Sequence, residues 1–84
     1  MFYLLFTEAS ENLVSLASEH FDGFTMFQAL GSWQGKLESS AVLLIGTDDR
    51  SKVNALARAI ATTNNQESIM VLPLAGKAEF VGGD

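Results

Sequence analysis

With 84 residues, 48% of them hydrophobic, the chain has material for one small core and no second domain. Ten acids against five bases, a formal charge of −5, argue against a general nucleic-acid binder, whose affinity comes from cations meeting phosphates. The absence of cysteine rules out a disulfide framework or a thiolate metal site and suits a reducing compartment, and no apolar run approaches the length of a membrane span.

Phe2–Thr7 predicts a strand, with Phe2, Leu4 and Phe6 on one face and Tyr3 and Leu5 on the other. Both faces are apolar, so the strand belongs in the middle of a sheet. Glu8 and Glu11 follow at once and no basic segment precedes, which reads as a strand and not as a secretion signal. Ser10 is the expected N-cap of a helix, with Glu11 in its first turn and Leu13, Leu16, Ala17 and His20 recurring at helical spacing. Asp22-Gly23 should end it, the glycine supplying a left-handed cap. Phe24–Leu30 predicts a second strand and the Trp33 segment a hairpin connection. A third strand, starting at Leu37 or at Ser40 and running to Ile45, is apolar on both faces and therefore also central; Leu43 on it should be fully buried. Thr47, Asp48 and Asp49 offer caps for a second helix, in which Val53, Leu56, Ala57 and Ile60 follow the i, i+3, i+4, i+7 rule. Thr62–Asn65 favours a turn, and Ser68–Leu72 predicts a fourth strand stopped by Pro73. Residues 1–73 then form one domain, and the Gly-rich residues 74–84 a flexible tail.

Strand, helix, strand, strand, helix, strand is the ferredoxin-like βαββαβ pattern, an α+β fold. Central first and third strands give a four-stranded antiparallel sheet of order 4-1-3-2, with two helices on one face. The other face is expected to carry Tyr3, Leu5 and alternate residues such as Phe27 or Met26. So large an uncovered apolar patch marks an interface, which predicts a homodimer or homotrimer.

This topology brings three loops to one end of the sheet. There Thr7, Glu8 and Ser10 meet Trp33, Gln34 and Lys36, and Asn64, Asn65, Gln66 and Glu67 join them. Gly31 and Gly35, on either side of Ser32-Trp33-Gln34, allow a tight turn or a close approach to a ligand. Trp33 reads either as a residue packed on its own core or a neighbouring subunit, or as a platform on which a planar ligand stacks. Lys36 reads as an exposed cross-strand partner of Glu38 or as a contact to an anion. Gln66-Glu67-Ser68 is a strand entry or part of the same site. The single histidine, His20, fits a helix C-terminus, and neither paired carboxylates at ligand spacing nor a nucleophile with its base is visible, so no enzyme, metal or cofactor is expected.

Gly23-Phe24-Thr25, Gly31-Ser32-Trp33-Gln34-Gly35, Glu38-Ser39 and Asn65-Gln66-Glu67-Ser68-Ile69 together resemble motifs of a family of small phage and prophage proteins, over most of residues 20–72. Those proteins are similar in layout to the trimeric PII and CutA-like group, which places ligands in clefts between subunits. The resemblance implies an oligomer with an intersubunit pocket. The chain lacks the long uridylylated loop that PII signalling proteins carry between strands two and three, so a nitrogen regulator is not implied. Two functions remain. One is a non-catalytic oligomeric module that holds a small anionic ligand such as a nucleotide at Thr7, Glu8, Trp33, Gln34, Lys36, Glu38, Asn65, Gln66 and Glu67. In a phage setting it would sequester a host defence signal in the host cytoplasm. The other is a phage adaptor or inhibitor that masks a host protein.

Overall fold

Alternation along the first strand divides its residues into two apolar faces, of which the helices cover one. The structure, a computed structural model, describes residues 1–83 and contains β1 (Phe2–Glu8), α1 (Leu13–His20), β2 (Thr25–Trp33), β3 (Lys36–Gly46), α2 (Arg50–Thr63) and β4 (Met70–Leu74). All neighbouring strands pair antiparallel in the order β2-β3-β1-β4, which is 4-1-3-2 read from the other edge. The expected fold class therefore holds, including the central positions of β1 and β3.

The core lies between the helices and one face of the sheet. Tyr3 and Leu5 of β1, Ala41, Leu43 and Ile45 of β3, Leu13 and Ala17 of α1, and Val53, Leu56 and Ile60 of α2 are buried there. The face expected to be open is thus the covered one: Tyr3 and Leu5 lie under the helices, and Phe2, Leu4 and Phe6 face outward with Val42 and Leu44. Alternation cannot break this tie, because both sets of residues are apolar. The open face continues onto Met70, Leu72 and Leu74 of β4 and onto Phe27 of β2, through the registers that pair them with Phe6, Leu4, Phe2 and Val42.

Several boundaries differ from expectation. Ser10 is not the N-cap of α1; Asn12 holds that position, and the Ser10 hydroxyl donates instead to Asn12 Oδ1 at 2.7 Å. Glu11 lies in the turn before the helix. Its C-terminus comes early, at His20, because the chain turns extended at Phe21; Gly23 does not adopt a left-handed conformation. The Trp33 segment is mostly strand. Only Gln34-Gly35 connects β2 and β3, with φ of 50° and 78°, the two positive values of a type I′ hairpin turn. β4 begins at Met70 and passes through Pro73 to Leu74; it is an edge strand paired only to β1, where a proline is tolerated.

Candidate functional site

The helix end that leads toward β4 is built by Asn65. Asn64 caps α2, its N–H donating to the Ile60 carbonyl at 3.0 Å, and Asn65 follows at φ 54°, a left-handed conformation that asparagine tolerates. The N–H of Gln66 then reaches back to the Ala61 carbonyl at 2.9 Å, the six-to-one bond of a Schellman motif. That motif aims the Gln66 side chain at the end of β1. Its Nε2 donates to Thr7 Oγ1 at 2.8 Å, and its Oε1 accepts from the Glu8 N–H at 3.4 Å. Thr7 Oγ1 donates in turn to the Glu8 carbonyl at 3.2 Å. Beside this latch, Asn12 Nδ2 donates to Asn64 Oδ1 at 2.7 Å and ties the start of α1 to the end of α2.

The structure therefore brings Thr7, Glu8 and Gln66 together and leaves the rest of the expected site apart. Thr7 is buried with its hydroxyl already engaged on both sides, so its role is structural. Asn65 is a backbone hinge, and Glu67 is exposed in the segment before β4. Trp33, Gln34, Lys36 and Glu38 stand on an arm. β1 ends at Glu8 opposite Ser40, whereas β3 begins four residues earlier at Lys36, so the tip of the β2–β3 hairpin projects about 13 Å beyond the β1 end. The long molecular extent, 45 Å against 26 and 23 Å, reflects this arm. Lys36 and Glu38 are neighbours along one strand and not a cross-strand pair; Lys36 faces Trp33 across the arm and Glu38 faces Gly31. A Cβ at Gly31 would stand 2.8 Å from Ser40 Oγ, so a side chain there would require the Ser40 hydroxyl to turn away.

A feature that the sequence reading missed is that β2 is bare on both sides. Met26 and Phe27 project to opposite faces, yet both are exposed, as are Leu30 and Trp33; the helices do not reach over this strand. Leu37 on the other side of the arm is 74% exposed. The signal present in the sequence was the polar–apolar step at Ser32-Trp33 and again at Lys36-Leu37-Glu38, which continues both strands up to the turn.

Two open grooves flank the arm strand. One, of about 540 Å³, lies at the base of the arm between Ala9, Gln28, Ala29, Leu30, Ser39 and Ser40. It adjoins the Thr7–Gln66 latch, because the Ala9 N–H donates to the Ser39 carbonyl at 3.1 Å. The other, about 610 Å³ and mainly apolar, lies at the opposite end of the sheet and is lined by Phe2, Phe24, Leu44, Gly46, Asp48 and Phe80, among others.

Elsewhere, His20, Asp49, Arg50 and Lys52 make contacts within the fold. His20 Nδ1 lies 2.9 Å from the Leu16 carbonyl, the helix-end role expected of it. Asp49 caps α2: Ser51 Oγ and, at 3.2 Å, the Lys52 N–H donate to its carboxylate, and these bonds hold its pKa below the ordinary aspartate value. Arg50 lies over the Tyr3 ring, 5.8 Å from its centre, and Lys52 over Phe21 at 5.2 Å. Among the described residues no three His, Cys, Asp or Glu side chains are grouped to hold a metal, and no helix is long and apolar enough to cross a membrane.

No protein-family model matches the sequence, and no curated protein sequence matches it. Among solved structures, the chain is similar to the divalent cation tolerance protein Cut A1 from Thermus thermophilus. The match has a TM-score of 0.56 and 17% sequence identity, and it covers 93% of this chain and 88% of that one. CutA from Synechococcus elongatus also matches, with a TM-score of 0.44 and 19% identity over 84% of this chain and 73% of that one. At this identity the first match agrees with the fold and carries no activity across.

Proposed function

We propose that this chain is a non-catalytic binding module that works as a homo-oligomer, a dimer or trimer, and takes a small polar ligand at the base of the arm. The observation that carries the reading is the state of β2. A nine-residue strand exposed on both faces and along its outer edge, with Met26, Phe27, Leu30 and Trp33 on it, is a surface built to be covered. A second copy is the partner always at hand. The ligand reading rests on the arm-base groove, where Gln28, Ser39 and Ser40 offer neutral hydrogen-bond groups. Neutral donors hold small anions as well as neutral ligands, so a nucleotide fits this proposal. The motif resemblance to phage proteins supports a host signalling nucleotide that the module sequesters. Lys36 and Trp33 stand too far out on the arm to line this groove in the same copy, and we assign them to contacts between copies.

A native mass spectrum of freshly purified protein tests the reading, because it reports subunit number and retained ligand together. Expected are multiples of 9.0 kDa with added ligand mass, or a ligand-free oligomer that binds a nucleotide in calorimetric titration. Gln28→Ala and Ser40→Ala should then weaken that binding and leave the oligomer intact. An oligomer that binds none of the nucleotides tried, yet captures a defined host protein through Leu30, Trp33 and Leu37, would put the adaptor reading first. The exposed apolar arm on an acidic body favours that alternative.

A further inference from the structure

The arm tip and the apolar groove are complementary, and they sit at opposite ends of the same face. Even-numbered residues of β3 lie on the open face, since Val42 and Leu44 do; Lys36 shares that side, and its register partner Trp33 shares it too. Trp33 is 67% exposed, so the tip presents an indole with an ammonium beside it. The groove at the other end is walled by Phe2, Phe24 and Leu44, with Phe80, 93% exposed, at its edge. Gly46 keeps it open, for a Cβ there would stand 2.9 Å from the Phe2 ring. Asp48 stands on its rim with its side chain fully exposed; Oδ1 takes the N-terminal ammonium at 3.3 Å. Groove and tip thus match twice, apolar wall to indole and carboxylate to ammonium.

We infer that the arm tip of one copy docks in the groove of another, with Trp33 against Phe2, Phe24 and Leu44, and Lys36 beside Asp48. The inference rests on the self-association proposed above and names its contact. From Thr25, which lines the groove, to Trp33 is about 27 Å along β2. A copy turned end for end over the open face therefore sets each tip over the other's groove and uses the same two patches twice, as an isologous contact requires. Ala29 and Ser40, register partners near the middle of that face, are small enough to let the two faces approach there. A chain with a net charge of −5 repels its own copies, and Lys36 is the cation placed to offset this at the contact.

Zero-length carbodiimide coupling of the wild-type protein tests the contact without any substitution. Copies labelled with 14N and 15N are mixed, coupled and digested. The expected product is a Lys36–Asp48 isopeptide of mixed isotope, formed between copies. Sedimentation is run on the same sample. An intact oligomer whose other lysines couple between copies while Lys36 and Asp48 do not would overturn this contact and leave the oligomer standing. A monomer at every concentration would overturn both. Charge exchange gives the second readout: Lys36→Glu and Asp48→Lys should each weaken assembly about 2- to 5-fold, as for an exposed pair, and the double variant should restore it. Trp33→Ala should weaken assembly at least about 30-fold, as for a central aromatic anchor. Single and double variants that all assemble as wild type does would overturn the proposal.

Discussion

Asp49 and Leu43 show how single residues hold this chain together by different means. Leu43 is wholly buried on a central strand, where truncation leaves a cavity that close-packed neighbours only partly fill. Leu43→Ala should cost about 2–5 kcal/mol in denaturant titration; a loss under about 0.5 kcal/mol would contradict the packing described. Asp49 acts through hydrogen bonds to its carboxylate, which lower its pKa. A carboxyl lowered by folding stabilises the fold above its unfolded value of about 4 and loses that contribution as the pH falls through the folded value. Asp49→Ala should therefore lower the melting temperature at pH 7, and the gap to wild type should close in stronger acid. A gap that stays constant with pH would mean that the cap is not the source. Asn65 and Gln66 mark where residue-level reading stopped short. Their residue types suit a ligand site equally well, and only the positive φ at Asn65 reveals a helix terminus whose next side chain latches β1.

At the scale of elements, hydrophobic spacing was sufficient for the six elements, the central strands and the buried face of α2, because each rests on local periodicity. Two things were not legible. The choice of covered face was hidden because Phe2, Leu4 and Phe6 are as apolar as Tyr3 and Leu5. The arm was hidden because Gly31, Ser32 and Gly35 read as a loop, whereas a tight turn needs only Gln34 and Gly35. Type I′ turns favour Asn-Gly at these two positions. Gln34→Asn should thus slow amide exchange along Leu30–Leu37, and Gly35→Val should speed it, since a branched side chain is strained at φ 78°. Exchange at Leu43 and Ile45 should be unchanged by either. Equal effects on arm and core would show that the arm is not an independent unit of local stability.

The whole molecule is a helix-covered sheet with its second face and its outer strand uncovered. Phe27, Met70 and Leu72 on that face, and Leu30, Trp33 and Leu37 on the arm, are a large apolar surface for 84 residues. Composition did not reveal this, since an apolar fraction of 48% reads as material for one small core; the register shows that the exposed apolar residues are contiguous. Lone tryptophan emission offers a convenient monitor: Trp33 should shift to shorter wavelength as copies associate and back on dilution. The most direct test of self-association is sedimentation velocity of the wild-type chain across the low micromolar range. A species of twice 9.0 kDa, weakened by Trp33→Ala, is the expected result; three times 9.0 kDa would keep self-association and overturn the end-for-end contact, and a single 9.0 kDa species throughout would contradict the account.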